Sequence, residues 1–575
     1  MEDKRTAIAL FICIAVIYVY TEMFIKPLSQ NQQPPIEQTS PAPVAQINQA
    51  PITGATDRPA MPESATTSSS AAALQHPSIA QIDASAATKI ASPKVQITIT
   101  HLGARIRSYK LVDFKANLGK EDLLDLVSHI DGAPLPGGAF VSTLNDDHVV
   151  YTLKETSAGA HVADGTYEIP PAGELSLTFT GTLPNGPAIT KTYKFGPQPY
   201  LFSITIDLAQ EVSGTSHLWI EWPLYLSKEQ SGSRINPGGY VLFDANNKIN
   251  HVAMKDVEVT PRDYGANKWV SLSDKYFMAS VIPAYTGPGN TRIGREGDIY
   301  YSLLAGETQR AEFSLYVGPK ESTLLTAAGH NLDRNIDLGW FAPISYPLLA
   351  AIHFFYGLFN NYGLAIILLT LLVKLLFLPL TKASFESMRK MQDLQPEMAA
   401  LRERIKDATQ LNKEVVELYR KRGVNPLGGC LPVMIQLPVF LGLYNALMYA
   451  IELRHAHFAL WINDLSDREA LQLFGFPIPI MVLIMGASMY LQQLTTPQVG
   501  DPQQQRMMKM MPLIFTAMFL IFPVPAGLTL YWLVNNIISI VQQMYLRGHR
   551  KANPYVATVF ASLGIFAVGY ILTLL

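Results

Sequence analysis

Cysteine is almost absent from this chain: two residues in 575, Cys13 and Cys430, both inside apolar runs. That excludes a disulfide framework, and no Cys/His spacing suits a metal. Charge is scarce as well. Charged residues make up 16%, against roughly 25% in ordinary soluble chains. A net charge of −2 leaves no global basic signature for nucleic acid. Also missing are a P-loop, an HExxH pair, a G-x-S-x-G elbow and a Rossmann fingerprint. His101, His129, His148, His161, His217 and His251 are scattered and form no catalytic constellation. The sequence calls for no enzyme chemistry, no metal and no cofactor.

What is present is apolar length, broken into segments. Residues 1–27 hold a run, "AIALFICIAVIYVY", behind Lys4 and Arg5. No small-x-small cleavage site follows, so an uncleaved signal anchor with its N-terminus inside is expected. Residues 28–92 are rich in Pro, Gln, Ala, Ser and Thr. They hold too little apolar surface to offset ordering entropy, so they predict a disordered tether. From 93 to 325 the pattern alternates, as in "VQITIT", "LSLTFT" and "LFSITIDL", with turn signals such as "LPNGP" and "TGPGN" between. Short alternating strands over this length predict an all-β sandwich domain.

Residues 326–361 turn helical and aromatic, with Pro343 and Pro347 inside "WFAPISYPLLAAIHFFYGLF". A helix lying in the membrane interface is expected there. Spans are expected at about 364–380, 431–450, 478–494, 509–525 and 528–546, with an extra C-terminal one at 555–575. Lengths near these suit a hydrocarbon core about 30 Å thick. Residues 381–423 carry ten Lys/Arg, whereas "IELRHAHFALWINDLSDREALQLFG" carries two. The positive-inside rule then puts the N-terminus and 382–423 in the cytoplasm and the β-domain outside it.

Polar residues inside these runs are the informative ones. Lys374 lies within "LAIILLTLLVKLLFLPLTKA", where a charge costs roughly 2.5–3.5 kcal/mol on insertion scales. Thr370 is four residues away, on the same helix face. Trp532, Asn535, Asn536, Ser539, Gln542 and Gln543 form a stripe at steps of three to four. Ser488 and Gln492 repeat the spacing, and Gln436, Tyr444 and Asn445 add polarity to another run. Three readings stand side by side. Lys374 can snorkel to the cytoplasmic surface. The amides can be glue between helices, worth about 0.6 kcal/mol per bond. Or the residues line a hydrophilic groove with one fixed positive charge.

Residues 382–423 read as a cytoplasmic helical hairpin. Phe385, Met388, Met391, Leu394, Met398 and Leu401 follow helical spacing, with Arg402 and Arg404 beside them. An ordinary solvated hairpin fits this pattern. So does a Met-bearing basic arm that meets apolar peptides or a ribosome.

Five stretches carry a family resemblance: "PLTKASFESMRKMQDLQPEMAALRERIKD", "VNPLGGCLPVMIQLPVFLGLYNAL", "ELRHAHFALWINDLS", "DPQQQRMMKMMPLIFTAMFLIFPVPAGLTLYWLVNN" and "IISIVQQ". Over about 340–550 the chain resembles the YidC-type membrane protein insertases of Gram-negative bacteria, within the wider Oxa/Alb group. The resemblance implies a multi-domain membrane protein of the inner membrane. Its α-helical core would have five spans around a groove open to cytoplasm and lipid, beside the N-terminal anchor and a periplasmic all-β supersandwich. The family's groove carries a positive residue, usually arginine. Lys374 stands there, which keeps the charge and loses the bidentate fork. Thr370, Tyr531 and Trp532 match groove or substrate-contact positions. Nascent membrane proteins, membrane lipid, the Sec translocon and the ribosome are the implied partners, with no nucleic-acid specificity. The β-domain's kinship with sugar mutarotases is no evidence of sugar chemistry. Where the family commonly ends in a basic cytoplasmic tail, this chain runs into the extra apolar segment. Two rival classes are a secondary transporter, which should show repeated halves, and a membrane-tethered carbohydrate enzyme or binder.

Overall fold

The computed structural model describes residues 76–574, except 128–129, 142–143, 158–161, 164, 213–216, 225–237, 285–286, 297–298, 425–430, 474, 497–501, 523 and 549–553. The expected anchor at 1–27 and the tether as far as 75 lie outside the described residues.

Alternation in the sequence becomes burial in the β-domain. Val95, Ile97 and Ile99 turn inward, as do Leu175, Leu177 and Phe179, and Phe202, Ile204, Ile206 and Leu208. Period-two side chains on a pleated strand leave no other way to bury one face. Strands Leu175–Thr182, Ala188–Phe195 and Leu201–Leu208 follow as hairpins, with Leu177 opposite Tyr193 and Tyr193 opposite Ile204. They belong to a 14-stranded sheet, which packs with a 6-stranded one around a shared core.

The folded domain begins earlier than expected. Helix α1, Ile79–Ala84, and a strand at Ala87–Ala91 fall inside the stretch read as tether to residue 92. Ser78 and Gln81 form a capping box, and Ile90 fills the core while the strand pairs with Val95–Thr100. The S-x-x-Q signature was legible in "SIAQ"; the surrounding Ser/Ala composition hid it.

The chain then becomes helical: α2 Ser322–Ala328, α3 Ala342–Phe359, α4 Tyr362–Leu376, α5 Leu378–Asp393, α6 Gln395–Arg404, α7 Ala408–Lys421, α8 Leu431–Tyr449, α9 Ile480–Thr495, α10 Pro502–Ile521, α11 Ala526–Gly548 and α12 Pro554–Leu574. Among the described residues, Gly339–Phe359 is the one helix long and apolar enough by itself to cross a membrane. The pair α4 and α5, bent by 59° at its break, passes when taken together. Helices α9, Ile480–Thr495, and the described part of α12, Thr558–Leu574, are apolar but shorter than a full span.

Helix α11 sits at the centre, packed against α4, α8, α9 and α12. A loop after α8 gathers the ends of these helices. Asn361 Nδ2, capping α4, donates to the Phe458 carbonyl at 3.0 Å. The Ala526 and Gly527 amides at the start of α11 donate to the Asp467 and Leu465 carbonyls at 2.8 and 2.9 Å. Buried Glu469 accepts from Trp461 Nε1 at 2.9 Å and from the Met481 amide of α9 at 2.6 Å. Gly363 has the Phe458 ring directly against it, leaving no room for a Cβ. The same loop reaches the β-domain, whose core takes in Ile451.

Candidate functional site

Four polar residues from three helices, α4, α8 and α11, meet along one face of α11. Lys374 Nζ of α4 donates to Ser539 Oγ at 2.7 Å, and Ser539 Oγ donates back to the Asn535 carbonyl at 2.8 Å. One turn along, Gln436 Nε2 of α8 donates to Asn535 Oδ1 at 3.0 Å. Asn535 and Ser539 share a face because they are four residues apart. Lys374 therefore points at α11, in a seam joining α4, α8 and α11. Beyond that seam stands Trp532, its ring edge-on to Phe440 and Phe519 at centroid distances of 4.7 and 5.5 Å, with Phe515 at 6.2 Å. The seam is polar at one end and aromatic at the other.

The rest of the expected stripe goes elsewhere. Asn536 Nδ2 donates to Ser488 Oγ at 3.0 Å, and Thr495 Oγ1 donates to Gln543 Oε1 at 2.5 Å. Asn536 and Gln543 are buried. These pairs tie α11 to α9, so Asn536, Gln543 and Ser488 act as interhelical glue. Asn536 and Gln543 are seven apart and stand on one side of α11, while Asn535 and Ser539 stand about 100° around it. Gln492 engages Thr495 and Thr496 through its carbonyl, at 2.8 and 2.9 Å. Asn445 is also away from the seam: its amide donates to the Leu338 carbonyl ahead of α3, at 2.8 Å. Thr370 is fully buried and returns its hydroxyl to Ile366 at 2.7 Å. Tyr531 is buried within the helical core.

The hairpin's methionines find partners within the hairpin. Met391 and Leu394 form a buried cluster with Val424, on which Tyr419 of α7 packs, and Tyr419 donates its hydroxyl to the Sδ of buried Met398 at 3.3 Å. The methionine face that was open to a binding role holds the arms together instead. Phe385, Met388, Leu401 and Arg402 are half-buried and Arg404 is exposed. Arg422 pairs with Glu397 across the arms at 2.6 Å.

Family models match the chain in two adjoining blocks, "YidC periplasmic domain" over residues 87–351 and "60Kd inner membrane protein" over 354–553. A membrane protein insertase YidC from Geobacter metallireducens is 35% identical over 567 residues, 95% of this chain and 98% of the relative. The chain belongs to the YidC family of membrane protein insertases. The YidC of Geobacter sulfurreducens is 37% identical over 458 residues, 76% of this chain and 84% of the relative. Among solved structures, an active YidC insertase with its first transmembrane domain resolved is similar at 20% identity and a TM-score of 0.35, over 79% of this chain and 93% of that one. A galactose mutarotase-like protein from Lactobacillus casei is similar at 8% identity and a TM-score of 0.25, over 41% and 100%. Membership in the YidC family makes this an inner-membrane insertase, not an enzyme, with a periplasmic β-rich domain and a helical C-terminal part.

Sequence reasoning missed the phenylalanines around Trp532. Phe515 and Phe519 recur at a spacing of four, which could have marked them, but Phe440 comes from a helix 92 positions before Trp532 and only folding brings it there.

Proposed function

We propose that the seam of Lys374, Ser539, Asn535 and Gln436 is the polar wall of a groove that admits the hydrophilic flank of a newly made membrane protein. The observation that carries this reading is the Lys374–Ser539 hydrogen bond: it holds the cation against α11 rather than among acyl chains. In this reading five spans, α4 and α8 to α11, surround the groove. The N-terminus and hairpin face the cytoplasm, and the loop after α8 closes the periplasmic side. Clients arrive from the ribosome or the Sec translocon and leave into lipid.

The energetics need no ATP. Each Leu-like residue of a client helix gains roughly 0.3–0.6 kcal/mol on entering the bilayer. The barrier is the polar flank, which must cross hydrocarbon. A groove with water and amides shortens that dry path. Lys374 attracts an acidic flank across a low dielectric, and its exchangeable bond to a serine hydroxyl leaves it available. The test is depletion of the protein in cells, followed by complementation and measurement of how much acidic-tailed client inserts. Lys374→Arg is expected to support insertion, and Lys374→Glu to lose most of it. Equal insertion with both would end the docking role.

A further inference from the structure

A cleft of about 110 Å³ lies where the β-domain meets the end of α8. Its walls include Lys275, Lys320, Asn335, Asp337, His251 and Tyr449. Tyr449 is the last residue of α8, and Asn335 and Asp337 belong to the linker that enters α3. In the topology of the proposed function, on which this inference rests, the cleft sits where a span ends on the β-domain's side, beside the periplasmic leaflet.

Asn335 is the anomaly in this cleft. Its side chain is buried, 1% exposed, yet neither Oδ1 nor Nδ2 has a hydrogen-bond partner among the described residues. A buried amide left unsatisfied is destabilising, so its donor and its acceptor both call for a ligand. Two carboxylates, Asp274 and Asp337, share the cleft with the lysines, and Asp337 Oδ2 stands 3.6 Å from His251 Nε2. Asp274 Oδ1 accepts from the Tyr276 and Phe277 amides at 2.7 and 2.6 Å, and Asp337 Oδ1 from the Gly339 amide at 2.8 Å. The two lysines supply positive charge to the same space. Lys320 Nζ is placed by the Asp274 carbonyl at 3.2 Å, and Lys275 lies over the Tyr276 ring at 4.5 Å. Burial pushes the Lys275 ammonium down to about 8, against the pull of Asp467, Asp464 and Asp274; a bound anion would offset that burial.

We propose that this cleft seats the headgroup of an anionic, hydroxyl-bearing phospholipid such as phosphatidylglycerol. The phosphate lies between Lys275 and Lys320 and accepts from Asn335 Nδ2, and a headgroup hydroxyl donates to Asn335 Oδ1. Such a lipid would hold the β-domain to the bilayer surface independently of the groove.

The experiment uses the full-length protein, reconstituted in phosphatidylglycerol or phosphatidylcholine nanodiscs and released for native mass spectrometry. The wild type is expected to keep one phosphatidylglycerol and no phosphatidylcholine. Asn335→Leu and Lys320→Gln should each lower retention about tenfold, the worth of one charge-assisted hydrogen bond. Lys154→Gln, on an exposed strand position, should change nothing. Because Asn335→Leu is a buried change, Lys320→Gln at the half-exposed rim decides if the former misfolds. Equal retention by wild type and Lys320→Gln overturns the proposal. So does protection by glycerol phosphate without lipid retention, which would mark a free-phosphate site. A wild type that keeps no lipid leaves a cleft filled by water and overturns it as well.

Discussion

Arg454, just past the end of α8, donates from its guanidinium to the backbone carbonyl of Lys115 in the β-domain at 2.9 Å. It also reaches the Ala116 carbonyl at 3.3 Å and stands over the Phe277 ring at 5.6 Å. The loop that gathers the helix ends is thereby clasped to the β-domain. Arg454→Ala should free that seam, at a cost of about 1–3 kcal/mol for a charged donor and its stranded partners. Hydrogen exchange on the full-length protein should speed up over 451–466 and 114–116. Arg454→Lys should restore the seam only partly, because a point charge cannot serve both carbonyls and the ring. Unchanged exchange in Arg454→Ala would mean that Ile451 alone holds the seam.

Neighbouring asparagines should separate groove from glue. Asn535 faces Gln436 in the seam, whereas Asn536 is spent on Ser488. Asn535→Leu should reduce client insertion severalfold with little change in melting temperature. A double-mutant cycle on Asn536 and Ser488 should show coupling of about 0.6 kcal/mol and leave insertion near the wild-type level. Equal insertion defects from Asn535→Leu and Asn536→Leu would erase the distinction.

The β-domain should lose stability as pH rises. Arg105 lies buried among Asp146, Asp147 and Glu221. Burial pushes the Glu221 carboxyl up to about 7, against the opposing pull of Arg105. The folded state then holds a proton that the unfolded state, titrating near 4.5, has already released. Its stabilising effect is full below that lower value and disappears as pH climbs through about 7. His76 adds a change of the same sign. Burial opposes its charge, but the hydrogen bond to Asp147 and the nearby carboxylates raise it above 6.5. Thermal unfolding between pH 5 and 8, followed by a β-domain fluorescence signal, should show this decline. Glu221→Gln should flatten it, and an unaltered slope in that variant would place the effect elsewhere.

The C-terminal helix should be a fixed part of the core. Gln542 Nε2 of α11 donates to Thr558 Oγ1 of α12 at 2.7 Å, with both residues buried. Phe566 of α12 packs edge-on to Phe359 at 5.1 Å. Truncation after residue 553 should lower the melting temperature by several degrees and bare an amide to lipid. Gln542→Leu in the truncated chain should recover part of that loss, since the stranded amide is then gone. A truncated protein as stable as the full chain would show that α12 is only tethered.

Much of the architecture was legible before folding. The strands from Val95 onward follow from a period of two, because a strand must bury one face, and Ile97, Leu177 and Ile204 obey it. The YidC motifs between Pro379 and Asn536 were likewise local strings. The tether boundary misled because Ile90 becomes core only when Ala87–Ala91 finds Val95–Thr100 as its partner. The methionines of the hairpin showed their period but not their target: whether Met391 and Met398 face a client or α7 depends on where the second arm lies.

The sequence by itself determined which residues are polar within apolar helices, and on which turn each one falls. Helical periodicity is a local property, and it put Lys374, Asn535, Asn536, Ser539 and Gln543 into stripes. Only tertiary structure decided what each stripe meets. Residues one position apart on α11 point about 100° apart, so Asn535 joins the seam with Lys374 and Gln436 while Asn536 is consumed by α9. That division depends on which helix packs on which side of α11, and the order of residues along one helix carries no record of it.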